Sequence, residues 1–169
     1  MPPATGPRTL EELPIRRASH LEHPLQTENR PGLCYAELRG RIVELSCEAG
    51  SGGLSFLCSR ILEAQELGEP VVWVLVGGCV VFPPDLDANG VDLASLAVVR
   101  APDVPSALKA AHHLLHCGAF GMVVLDLGVE FMPSAPARAP RVSLAAVRRC
   151  LGRFARLAEK SRAALVCLT

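Results

Sequence analysis

From residue 41 onward, apolar and polar positions alternate between a strand-like and a helix-like period. Arg41–Cys47 (RIVELSC) reads as a strand, and Glu48–Gly53 as a glycine-rich turn. Ser55–Leu67 sets Phe56, Leu57, Ile61 and Leu62 on one side of a helix. Pro70–Val76 (PVVWVLV) is an unbroken apolar run rich in β-branched residues, as in a strand buried on both faces. Leu96–Arg100, Gly121–Leu127 and Ala164–Leu168 predict further strands. Pro105–His116 predicts a helix, with proline in its first turn and Gly118 as its stop, and Arg141–Lys160 a longer one. Alternating strands and helices imply an α/β fold, a mostly parallel sheet flanked by helices with right-handed crossovers.

Residues 1–38 differ. Six of the fourteen prolines fall within residues 1–32, and no period is sustained. They read as an arm with one short helix near Thr9–Leu21, capped by Thr9 and Glu12 and limited by Pro14. Tyr35–Leu38 reads as a short strand or an entry segment, and residues 39–169 as the core. The chain stops in or just after an apolar strand, the expectation being that the full protein continues.

Composition narrows the function. No apolar run approaches the ~18 residues of a membrane span, and no signal-peptide pattern opens the chain, so a cytoplasmic location is expected. Seven cysteines without a CxxC pair suit a reduced core, not a disulfide framework. Seven aromatic residues are few for a base-stacking platform. The net charge of zero hides a segregation: residues 41–130 carry four basic and eleven acidic side chains, residues 131–162 eight basic and one acidic. Such a block points to a polyanion or an acidic partner near the C-terminus.

The strand, glycine turn and helix at 41–67 form the frame of a phosphate-binding loop, G-x-x-x-x-G-K-[ST]. The eight residues are Cys47-Glu48-Ala49-Gly50-Ser51-Gly52-Gly53-Leu54. Gly52 keeps the second motif glycine. Cys47 replaces the first, Gly53 replaces the lysine, and Leu54 replaces the Mg²⁺-binding hydroxyl, with Ser55 one residue too late. Asp126 ends an apolar strand 74 residues after Gly52, where a Walker B carboxylate would lie.

Read in order, "RGRIVELSCEAGSGGLS", "VVWVLVGGCVVFPP" and "NGVDLASLAVVRAPDVPSALKAAHHLLHCGAFGMVVLDL" resemble the core of the RecA recombinase family. The resemblance implies a RecA-like core with a degenerate P-loop, with Gly78 where that family carries its catalytic glutamate. With lysine, hydroxyl and general base all replaced, phosphoryl transfer loses its positioning and its charge stabilisation, and no ATPase is expected. Among RecA-related proteins without catalytic residues, the chain is most similar to the ImuA accessory proteins of translesion synthesis. That implies binding to a translesion polymerase subunit, with RecA and DNA as further candidates, no cofactor and no metal. The alternative is a SulA-like inhibitor of cell division that binds a tubulin-like protein. A third reading is a regulator that binds nucleotide through Gly50–Gly53 without hydrolysis.

Three clusters carry the candidate contacts. In Arg141–Lys160, Leu144, Val147, Leu151, Phe154 and Ala158 share one face, while Arg149, Arg153, Arg156 and Lys160 recur on another, with Arg148 alongside. Arg138 and Arg141 come into play because their loop matches the first DNA-binding loop of the RecA family. The basic row reads either as a DNA or partner surface or as a solvated face in an arginine-rich composition. Leu10, Leu13, Ile15 and Leu21 read either as anchors for a partner groove or as a self-packed arm. His112, His113 and His116 read as ordinary helix histidines, because no further zinc ligands stand nearby in sequence.

Overall fold

A computed structural model describes residues 33–45, 52–77, 79–127 and 144–168, with the backbone alone for residues 144–149. The elements are α1 (Tyr35–Leu38), β1 (Ile42–Leu45), α2 (Gly53–Glu66), β2 (Val71–Val76), α3 (Pro83–Ala88), β3 (Leu96–Ala101), α4 (Val104–Cys117), β4 (Met122–Asp126), α5 (Leu144–Ser161) and β5 (Ala164–Leu168). The five strands form one sheet in the order β1-β5-β4-β2-β3, and every pairing is parallel.

The α/β architecture with a parallel sheet is therefore as the apolar pattern predicts. β2 is buried along its whole length. Val72, Val74 and Val76 face one core with α4 and α5; Val71, Trp73 and Leu75 face a second with α1, α2 and α3. The layering follows from handedness. The chain crosses from β1 to β2 and on to β3 with α2 and α3 on one face. It then reverses direction to reach β4 and β5, and right-handed crossovers send α4 and α5 to the opposite face.

Tyr35–Leu38 is helical, where a strand or entry segment was expected. The cause is local and tertiary at once. The Glu37 carboxylate accepts from the Cys34 N–H at 3.1 Å, and the Glu63 carboxylate of α2 accepts from the Tyr35 N–H at 2.6 Å. Arg60 donates to the Leu33 carbonyl at 2.7 Å and pairs with Glu63, while Arg39 pairs with Glu69. α3 is an element the apolar pattern alone did not mark. Pro83 and Pro84 supply its first turn, and Asp85 places an acid there.

Gly121, ahead of β4, is required by crowding. A Cβ there would lie 2.6 Å from the Glu69 Cβ and Oε2 and from the Tyr35 hydroxyl. Its backbone has little room to retreat, because its N–H donates to the Pro70 carbonyl at 2.9 Å and its carbonyl accepts from the Ala164 N–H at 2.8 Å. Gly121→Ala is expected to lower stability by about 1–3 kcal/mol, the usual cost of overpacking, read from denaturant midpoints. An unchanged midpoint would mean that Tyr35 and Glu69 shift freely, which the burial of Tyr35 and the Arg39 ion pair of Glu69 oppose.

Candidate functional site at the carboxyl edge of the sheet

Open parallel sheets place ligands at the carboxyl ends of their strands, where neighbouring connections leave toward opposite faces. Here β4 and β2 are neighbours; β2 leads to α3 on one face and β4 to α5 on the other. The register sets Leu45, Leu168, Asp126, Leu75 and Arg100 in one row across this edge. Strand alternation puts Asp126 on the same face as Met122 and Val124, the face that α2 covers. Asp126 is half-buried there.

α2 starts at this edge. Gly52 caps it in the left-handed region (φ 72°), and its carbonyl accepts from the Phe56 N–H at 3.0 Å. No Cβ clash occurs at Gly52, so backbone conformation favours glycine there, not space. Gly53 opens the helix, Leu54 is 43% exposed, and Ser55 is exposed, its carbonyl accepting from the Ser59 hydroxyl at 2.9 Å. Cys47, Gly50 and Gly78 lie outside the described residues. The next loop along the edge, between β2 and α3, exposes Val80 (76%) and Phe82 (60%). Sequence reasoning passed over these two; their signal was a pair of large apolar residues before a double proline.

The edge thus presents leucine, valine and phenylalanine where a nucleotide-handling sheet presents lysine and hydroxyl groups. Among its described residues, the α2 N-terminus offers backbone N–H groups and no cationic side chain in its first turn.

The remaining candidates divide. Arg153, Arg156 and Lys160 are exposed on α5, and Phe154 and Ala158 are buried on its inner face. Arg148 and Arg149 belong to the same helix, within the part described by backbone alone. Arg138 and Arg141, and Leu10, Leu13, Ile15 and Leu21 of the arm, lie outside the described residues.

The histidines of α4 do come together: His112 and His116 stack with centroids 6.1 Å apart, and His113 meets His112 edge-on at 5.6 Å. Among the described residues no group of three or more His, Cys, Asp or Glu is placed to hold a metal ion. Partial burial lowers the His112 pKa, assisted by His113, Arg153 and His116. Cys58 and Cys167 are buried in the two cores, while Cys34 and Cys117 are exposed. No helix among the described residues is long and apolar enough to cross a membrane.

No protein-family model and no curated protein matches the chain. Among solved structures it is similar to the crystal structure of SulA from Pseudomonas aeruginosa, at 21% identity and a TM-score of 0.51, over 75% of this chain and 95% of that one. The expected likeness to ImuA, with translesion synthesis as function and a polymerase subunit, RecA or DNA as partners, is overturned by this finding, which favours the SulA-like alternative. A strand–glycine turn–helix frame and a carboxylate at a strand end belong to many α/β sheets, so motif order could not separate the two.

Proposed function

We propose that the chain is a SulA-like inhibitor of cell division that binds a tubulin-like protein, acts in the cytoplasm, and has no catalytic activity of its own. The observation that carries this reading is the fold likeness to SulA, which extends over 95% of that protein's chain. The character of the carboxyl edge supports it. Leu54, Val80 and Phe82 are exposed there, and large exposed apolar side chains suit burial against another protein. The finer reading of the scaffold, a RecA-like core whose P-loop is degenerate, rests on the left-handed Gly52 at the α2 N-terminus and on Asp126 at the end of β4. In this reading the sheet is a rigid frame, and function lies in the surface at its edge.

The test is polymerisation of a bacterial tubulin-like division protein, followed by light scattering and sedimentation, with the chain added in increasing ratio. Suppression near equimolar ratio is expected, and Val80→Glu/Phe82→Glu should weaken it by at least about thirtyfold, the loss of roughly 2 kcal/mol typical of a contact hot spot. Both side chains are mostly exposed, so the variant should keep its circular dichroism spectrum. Undisturbed polymerisation at large excess of the wild-type chain would rule the reading out.

A further inference from the structure

A groove of about 380 Å³ runs between α4 and α5, on the opposite face of the sheet from α2. Leu108 and Phe154 form its floor, 8% and 2% exposed, with Pro105 and Cys150 beside them. Lys109, His112 and Arg153 join them, and no carboxylate is among the described lining residues. Among the described residues neither Lys109 nor Arg153 forms an ion pair. Three nitrogen-bearing side chains therefore surround an apolar floor, and two of them carry positive charge without an ion-pair partner among the described residues.

We infer that this groove binds an acidic peptide segment of a partner protein, taking one apolar side chain onto Leu108 and Phe154 and flanking carboxylates onto Lys109, His112 and Arg153. The volume lies within the ~300–1,000 Å³ of small-ligand pockets, enough for a side chain and its neighbouring backbone. Shape selects against a nucleic acid. A phosphodiester backbone would follow the outer row of Arg156 and Lys160 without entering an apolar floor.

His112 makes the binding pH-dependent. Around it stand His113, His116 and Lys109 from α4, Arg153 and the Cys150 thiol from α5, and an apolar sheet face beneath. Partial burial, then His113, Arg153 and His116, hold its pKa below the ordinary value in the free protein. An arriving carboxylate favours the charged imidazole, so the bound state takes up a proton and affinity rises as pH falls.

The probe is a short fluorescein-labelled peptide with phenylalanine flanked by aspartate and glutamate, titrated with the full chain by fluorescence anisotropy. Saturable binding is expected, stronger at pH 6 than at pH 7.5, and absent for the peptide with asparagine and glutamine in place of the acids. Lys109→Glu/Arg153→Glu should weaken it at least about tenfold, and Lys109→Met/Arg153→Met by an intermediate factor, as expected for two charge-assisted contacts. Failure of the acidic peptide to bind, indifference to the double charge reversal, or displacement by a single-stranded oligonucleotide that binds more tightly would each overturn the inference. The groove stands apart from the carboxyl edge. Peptide binding without inhibition of a tubulin-like polymer leaves the groove intact and removes the division reading, and the converse result does the opposite.

Discussion

Replacement of Trp73 by alanine is expected to cost about 3–5 kcal/mol, the largest effect of any single truncation in this core. Trp73 is 2% exposed on the central strand β2, paired with Val98 on one side and Val124 on the other, and it belongs to the core with Tyr35, Leu57 and Ile61. Neighbouring strands hold its backbone on both sides, so the cavity cannot collapse by strand movement. For a domain of this size the loss corresponds to a fall in Tm of roughly 10 °C or more. Trp73→Phe should behave differently. The Trp73 Nε1 is buried without a hydrogen-bond partner among the described residues, and removing an unpaired buried donor offsets part of the lost volume. That variant should lose less than about 1.5 kcal/mol. Circular dichroism is the readout, because Trp73 is the chain's one tryptophan and its replacement removes the intrinsic fluorescence signal. An alanine variant within about 1 kcal/mol of wild type would contradict the packing described here.

The second large effect is alkaline. Burial pushes the Cys167 thiol up from about 9 to about 12, with the neighbouring charge of Glu44 adding to the shift. Glu44 and Cys167 are register partners on β1 and β5, which brings that charge close. The folded state therefore holds the thiol protonated while the unfolded chain releases its proton above pH 9. Stability is fully present below pH 9 and is lost as pH rises toward 12, at about 1.4 kcal/mol per pH unit from this one group. Cys58 and Tyr35 act in the same direction, both raised first by burial. Urea midpoints measured from pH 8 to pH 11 should fall steeply above pH 9, and Cys167→Ala should flatten the slope by close to one proton. Equal slopes in the two proteins would show that the thiol ionises without unfolding the strand. Cys34 and Cys117 are exposed and should react with a thiol reagent in the native state, while Cys58 and Cys167 wait for unfolding.

Much of the element list was legible because its signals are local. PVVWVLV declares a doubly buried strand through its unbroken apolar run, and the observed β2 spans Val71–Val76. Gly118 ends α4 in the left-handed conformation that its position predicted, and Asp103 caps the other end by accepting from the Ser106 N–H at 2.8 Å. The Tyr35–Leu38 turn was illegible for the opposite reason. Its helical form depends on the Glu63 carboxylate, 28 residues away.

The candidate site was legible in part. Gly52 and Asp126 lie at the carboxyl edge, the side on which open parallel sheets in general place ligands, but Val80 and Phe82 were passed over, since exposure is a property of the folded surface. The family resemblance misled toward ImuA because the motifs that carried it describe the α/β frame and not the surfaces built on it.

The sequence by itself determined the alternation of strands and helices, and with it a parallel α/β sheet, because burial periodicity and β-branched runs act over a few residues. It also places glycine and leucine at Gly53 and Leu54, where a phosphate-binding loop would carry lysine and a hydroxyl. Only the tertiary structure decided the order β1-β5-β4-β2-β3, the separation of α2 from α4 and α5, and the meeting of Lys109 and His112 with Arg153 across one groove. Those depend on where the chain reverses its direction across the sheet, a choice made by long-range packing and crossover handedness, for which no local pattern of residues carries a signal.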